Sequence, residues 1–304
     1  MADNILRSYG DVGIKEDVVG LVEILTARET YFLNNLGKTV AINTVHSFLT
    51  DILLAAASQA VAEAEDYTAL ALTTTTRNTN IVEKIATPFK VDRTQQFVQH
   101  YYGENELARQ TTKKLADWGN AAEFDIIRSS LVSGQSGTVP KMDGILRAIS
   151  TTTSYTLHNS GTVLSVSIIN GLMKNNMDTS NGDVATDLFA GSFLRYVIDG
   201  FTQKSTTLVQ IAATDILNTV DVISTSFGRL AVHYHRYVQQ SGDTTGRLLA
   251  IRPEKLKIAY LRRPFVDTTL QRAGDYDFRA VVGDLTLETR NKQSNWFAEG
   301  FSLV

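Results

Sequence analysis

Apolar positions change their spacing along the chain, and those changes divide it. Residues 3–16 are polar and glycine-punctuated, which predicts an arm. Over 17–35, Val18, Leu21, Val22, Ile24, Leu25 and Phe32 suffice for a short helix ending near Asn35 and Gly37. From Val40 to His100 the pattern turns extended. Residues 68–76 are β-branched and threonine-rich, while Ile81, Ile85, Phe89 and Val91 alternate with Lys84, Lys90 and Asp92. The polar stretch Thr75-Thr76-Arg77-Asn78-Thr79-Asn80 between them reads as a turn. The expected object is a long two-stranded arm. Alone in water it is marginal, having nothing to bury its faces against. No Pro/Gly/Ser-rich linker separates it from the rest, so a neighbouring subunit is the expected support.

The strongest helix follows. Leu107, Thr111, Leu115, Trp118, Ala122 and Ile126 recur at spacings of three and four, and Glu104 and Glu106 favour the first turn. Residues 104–131 would make a rod of ~40 Å at ~1.5 Å per residue, stopped by the glycine-rich 133–137. Beyond it the chain resembles an α/β domain. Helices are expected at 163–173 and 185–198, the latter with Leu188, Phe189, Leu194 and Val197 on one side. A half-buried strand is expected at 228–238, and two more at 248–251 and 256–261 around the turn Arg252-Pro253-Glu254-Lys255. Val281, Leu285 and Leu287 alternate with Asp284, Thr286, Glu288 and Arg290, which predicts an amphipathic strand. No internal repeat is visible, which argues against solenoids and propellers.

Composition narrows the function classes. A chain of 304 residues can bury a sizeable core. With 29 Lys and Arg against 32 Asp and Glu, the net charge is −3, and a dedicated duplex-DNA binder is disfavoured. Zero cysteines exclude disulfides, thiolate metal sites, iron–sulfur clusters and a cysteine nucleophile. The apolar run 52–57 is far short of the ~18–20 residues that span a bilayer. The opening Met1-Ala2-Asp3-Asn4 has no basic region before an apolar core, so neither a secretory signal nor a membrane partner is expected.

Candidate chemistry is sparse. His233 and His235, two apart on a predicted strand, would point the same way, as a β-sheet metal site requires. No third ligand accompanies them, and such sites need three or four. Gly37-Lys38-Thr39 imitates the end of a phosphate loop, but Phe32 stands where the first glycine is needed. Gly134-Gln135-Ser136-Gly137 is one residue short of a nucleophile elbow and follows a helix rather than a strand. The acids Glu63, Glu65 and Asp66 read as a solvated or subunit-contacting patch. Arg109, Lys113, Lys114 and Arg128 are interleaved with acids, as on a solvated face. Trp118 and Phe124 read as core anchors. No catalytic residue, metal or cofactor is expected.

Around the long helix the sequence resembles a tailed-bacteriophage major capsid protein. The resemblance runs from His46-Ser47-Phe48-Leu49-Thr50-Asp51 through Glu63-x-Glu65-Asp66 and Arg77-Asn78-x-Asn80 to Tyr102-Gly103-Glu104-Asn105-Glu106-Leu107-Ala108. It continues in Met142-Asp143-Gly144-Ile145-Leu146, Arg252-Pro253-Glu254-Lys255-Leu256, Tyr260-Leu261-Arg262-Arg263-Pro264 and Leu287-Glu288-Thr289-Arg290-Asn291. Order and spacing carry it, roughly from residue 17 to 290. It implies an α+β chain of the Hong Kong 97 capsid fold. The implied parts are an N-terminal arm (1–38), an extended E-loop hairpin (39–100), a peripheral domain with a spine helix (101–162), an axial domain (163–246) and strands returning to the peripheral domain (247–304).

What the resemblance implies for function is assembly, not catalysis: pentamers and hexamers of the chain closing an icosahedral shell around a double-stranded DNA genome. Expected interface residues are Arg77, Asn78, Asn80, Lys84, Lys90 and Arg93, with Glu63, Glu65 and Asp66 as partners on a neighbour. Arg109, Lys113 and Lys114 are candidates to face packaged DNA through non-specific contacts. Scaffolding, portal and decoration proteins are the other implied partners, with any scaffolding supplied by a separate protein and no covalent crosslinking. Two alternatives remain open: an encapsulin-like compartment of the same fold, and more distantly a metal-dependent enzyme using His233 and His235.

Overall fold

The computed structural model describes residues 30–54, 57–64, 69–99, 105–134, 137–180, 183–203, 221–239 and 243–302. In chain order, α1 (Tyr31–Asn35) leads into β1 (Gly37–Val40), β2 (Val45–Thr50), β3 (Thr76–Ile81) and β4 (Glu83–Asp92). Helices α2 (Arg93–Phe97), α3 (Glu106–Arg128) and α4 (Ile145–Ser150) follow, then β5 (Tyr155–Thr162), α5 (Val166–Thr179), β6 (Asp187–Ala190) and α6 (Ser192–Gln203). The remainder is mostly strand: β7 (Val222–Thr225), β8 (Gly228–Tyr234), β9 (Gly246–Ile251), β10 (Leu256–Asp267), β11 (Tyr276–Thr289) and β12 (Trp296–Phe301).

These strands form three sheets. One has the order β1-β10-β11-β4, a second β5-β12-β9-β6-β8-β7, and the third is the pair β2-β3. The C-terminal strands therefore divide: β10 and β11 join β4, whereas β9 and β12 join the six-stranded sheet. Helix α3 starts on Asn105, whose side chain accepts from the Leu107 amide at 2.9 Å. It buries Leu107, Trp118, Ala122 and Ile126 of the predicted stripe, while Leu115 is 43% exposed. Trp118 is the core anchor expected of it, and its indole N–H donates to the Ile85 carbonyl at 3.0 Å. The ring occupies the space beside Gly283, where an added Cβ would lie 2.5 Å from it. One core joins Phe32, Trp118, Ile126, Leu249, Leu285 and Phe297. A second packs Ile169, Leu188, Leu194 and Trp296 about the six-stranded sheet.

Several expectations are corrected. The stretch 75–80 is not the hairpin's turn, because Thr76–Ile81 is strand β3, paired with β2 from Val45↔Ile81 to Thr50↔Thr76. Its asparagines bond across the strands instead of closing a turn, Asn78 to Thr50 and Asn80 to the Leu287 carbonyl. The threonine-rich run before it forms no strand over 69–75. Residues 187–190 are strand rather than helix. β6 lies between β8 and β9 and is buried from Leu188 to Ala190, and such an apolar run carries no helical or alternating signature. Strand β11 is not amphipathic: from Ala280 to Thr289 every residue is buried. Its buried carboxylates are paired instead, Asp284 with Arg262 and Glu288 with both His46 and Arg290. Gly37-Lys38-Thr39 lies in β1, parallel to β10.

Two stability predictions follow from α3. Gly283→Ala would push the Trp118 indole out of place and should cost about 1–3 kcal/mol in denaturant unfolding. The second concerns Asp125, half-buried beside Glu83, which accepts from Ser129 Oγ at 3.0 Å and the Met142 amide at 3.1 Å. Burial and then the Glu83 charge push Asp125 up to about 7, against an opposing pull from Lys141. A raised carboxyl costs nothing below about pH 4, where both states hold the proton, and its penalty grows to full size above about pH 7. Asp125→Asn should therefore be more stable than the parent by on the order of 2 kcal/mol at pH 8, after allowance for solvent screening. The advantage should vanish near pH 4, as read by unfolding at the two pH values.

Candidate assembly interface

Among the described residues, the β2–β3 hairpin is fastened to the rest of the subunit at its root. Asn80 is buried there and spends its whole amide within the chain. Its Nδ2 donates to the carbonyls of Leu287 (2.8 Å) and Asp143 (3.3 Å), and its Oδ1 accepts from the amides of Ile81 and Asp143, both at 2.8 Å. Across the ladder from it, His46 Nε2 meets Glu288 Oε1 at 2.7 Å, and Arg290 holds the other carboxylate oxygen at 3.1 Å. Ala41, Val82 and Ala259 form a small apolar plug beneath.

Beyond the root the hairpin buries almost nothing. Every described residue from 51 to 75 is exposed, with Leu53 at 95% and Leu72 at 93%. Ile52, Leu54, Val61 and Leu70 are exposed with them, as are Leu49 on β2 and Ile42 before it. A monomer rarely leaves so many large apolar side chains contiguous along one projecting element. The surface is built to be covered.

The residues expected to line an interface are placed unequally. Arg77 is exposed and its guanidinium donates to Ser47 Oγ at 2.9 Å, while Asn78 donates to Thr50 Oγ1 at 2.8 Å. Asn80 does not face outward, because its role is to dock the root. Lys84 and Lys90 lie on the exposed face of β4, with Lys90 Nζ 4.6 Å from the centre of its own Tyr276 ring. Arg93 pairs with Asp275 at 3.4 Å. Glu63 is exposed; Glu65 and Asp66 lie outside the described residues. On α3, Arg109 is held by Glu106 at 2.8 Å and Lys114 by Asp117 at 2.8 Å, whereas Lys113 is exposed.

His233 and His235 each face a carboxylate instead of converging on one point. His233 Nε2 lies 3.1 Å from Asp187, and His235, just past the end of β8, lies 3.1 Å from Glu123. Among the described residues no group of three or more His, Asp or Glu side chains could hold a metal ion. Among those residues, too, no helix is long and apolar enough to cross a membrane. The site that sequence reasoning missed is Glu123 itself, fully buried on α3. Its two oxygens accept the amides of Phe32 (2.6 Å) and Leu33 (2.9 Å), the free N–H groups that open α1. Thr30 makes no side-chain cap, so a carboxylate from a distant helix supplies it. The available signal was an acid beside Ala122 on an otherwise apolar border.

Comparison with known proteins matches these features to shells. No curated protein matches the chain in sequence. Solved structures match over nearly its whole length. One from Microbacterium phage Oxtober96 has a TM-score of 0.67 at 12% identity, covering 95% of this chain and 96% of that one. The capsid of a native GTA particle gives 0.65 at 12% identity, covering 97% of each. The holo-SrpI encapsulin complex from Synechococcus elongatus PCC 7942 gives 0.64 at 9% identity, covering 99% and 97%. At such identities the likeness establishes the fold, that of Hong Kong 97-type capsids. The family described as SU10 major capsid protein matches residues 5–301. With that match spanning nearly every residue, the chain belongs to the SU10 major capsid protein family and is a phage capsid shell protein.

Proposed function

We propose that copies of this chain assemble as pentamers and hexamers into an icosahedral shell around the double-stranded DNA genome of a tailed phage, with each β2–β3 hairpin laid across a neighbouring copy. The observation that carries the reading is the hairpin, with Leu53 and Leu72 almost fully exposed on an element whose described residues are fastened at its root. Covering these side chains supplies apolar burial of about 25 cal/mol per Å² at each junction. Repetition through a closed lattice then multiplies modest interfaces into a stable particle. The chain works by assembly rather than catalysis, in the virion, after synthesis in the host cytoplasm.

Charge fits the same role. Arg77 at the hairpin, with Lys84, Lys90 and Arg93 on and after β4, offers cations to acids such as Glu63, Glu65 and Asp66 of an adjacent copy. Arg109 and Lys114 are neutralised by Glu106 and Asp117, leaving Lys113 the most accessible of the three for loose contact with DNA. At a net charge of −3 the wall would not grip its cargo, which suits packaging and release. Scaffolding, portal and decoration proteins complete the proposed set of partners.

Electron microscopy of the purified chain, with sedimentation, tests the reading. Closed shells, tubes or sheets are expected; protein cargo in place of DNA in native particles would favour a compartment instead. Replacing Leu53 and Leu72 together by Asp should cut particle yield more than about tenfold, since repeated contacts compound their losses. The melting temperature of the subunit should stay put, because neither side chain is buried within it. Arg77→Glu should likewise lower particle yield without unfolding the subunit; unchanged yield would remove Arg77 from the interface.

A further inference from the structure

A cleft of about 640 Å³ opens beneath the distal half of the β2–β3 hairpin. Thr50, Asp51, Ile52 and Asn78 form its hairpin wall, and the chain running out of β11, from Thr289 to Gln293, forms much of the wall opposite. The two walls are already joined at one end, where His46 and Asn80 meet Glu288 and the Leu287 carbonyl. Side chains alternate along a strand, so Asn78 and Thr50 face the same way farther out. There the polar groups bond within the hairpin instead: Asn78 donates to Thr50 Oγ1 at 2.8 Å, and that hydroxyl donates to the Thr76 carbonyl at 3.4 Å.

Five charged side chains line the cleft, and three of them have partners in the body of the subunit. Glu254 pairs with Arg252 at 3.3 Å, Lys255 with Asp183 at 3.2 Å and Arg290 with Glu288 at 3.1 Å. Asp51 and Lys292 make no ion pair among the described residues; the Asp51 carboxylate accepts the adjacent Ile52 amide at 2.9 Å. These two are opposite in sign and stand on opposite walls. Asp51 lies five residues beyond His46 and Lys292 four beyond Glu288, so closing the cleft would bring them level. We propose that the hairpin is a strap with a second, closed position, in which its distal half bends onto the chain after β11 and Asp51 pairs with Lys292. An ion pair between partly exposed groups is weak, so the open and closed positions exchange, and salt shifts the balance toward the open one. In the shell reading, on which this consequence rests, the open strap offers Ile52 and Leu53 to a neighbouring copy. The closed strap draws them back onto their own subunit.

The chain has no cysteine, so Ile52→Cys with Gln293→Cys places a clean reporter on the two walls and leaves Asp51 and Lys292 intact. A disulfide needs its Cα atoms within about 7 Å. Its rate of formation in the dilute full chain under mild oxidant, read by mass spectrometry, therefore measures closure. An intrachain disulfide should form, and adding Asp51→Lys, or raising salt to about 1 M, should slow it about fivefold, the scale of a weak ion pair. Asp51→Lys together with Lys292→Asp should restore the rate at low salt, a recovery that two unrelated structural effects would not give. Failure to form the intrachain bond, a rate indifferent to Asp51→Lys, or a loss that the exchange does not recover overturns the proposal. Should the exchanged variant fail to fold, the reporter alone decides: equal rates at about 0.05 M and about 1 M salt overturn it. Particle formation, scored separately by microscopy, reports on the shell reading alone.

Discussion

A single buried carboxylate ties the parts of this subunit together. Glu123 sits inside the longest helix with no exposed surface, where an unpaired charge would be intolerable. It is made tolerable by three donors from two other places: the opening of α1 and the chain just past β8. The helix, α1 and the six-stranded sheet therefore meet at one point, and none can shift without stranding a charge. Aromatic rings close the space around it. Phe32 packs against Phe189 at 5.0 Å between centroids and against His235 at 5.3 Å.

The hairpin obeys the opposite logic. Where Glu123 gathers donors inward, the β2–β3 pair sends its apolar surface outward and keeps only polar hooks at home. Asn80 and His46 reach adjacent positions of β11, the Leu287 carbonyl and the Glu288 carboxylate. Because β11 lies between β10 and β4, the hairpin is fixed to the middle of a sheet instead of to a loose edge. Rigid root and uncovered tip together make an element whose energy is realised only in company.

Much of this was legible in the residues. Helix α3 and strand β4 stood out because each has one buried face, so periodicity reports them: Trp118, Ala122 and Ile126 on the first, Ile85, Phe89 and Val91 on the second. That the hairpin cannot bury its faces by itself could be inferred from its extended pattern. What escaped were places where burial is two-sided or partners are remote. Strand β6 is apolar from Leu188 to Ala190 and shows no period that would tell strand from helix. Strand β3 displays Asn78 and Asn80, which suggest a turn until Thr50 and Leu287 are seen opposite them. Glu123 looks like any helical acid because its partners are backbone amides some ninety residues earlier, and amides leave no mark on composition. The histidine pair was noticed as two ligands for one metal, whereas each ring faces its own carboxylate.

The root hooks have a consequence for synthesis. Asn80 and His46 are made early, but their receptors at Leu287 and Glu288 are separated from them by 207 and 242 residues along the chain. While the chain is still emerging from the ribosome the hairpin has nowhere to sit, and β4 waits for β11 as well. Contacts of such long range form late, at a high cost in loop closure. A chain that stops before β11 thus lacks the two receptors that seat the hairpin, so the position of an early-made element depends on residues made last.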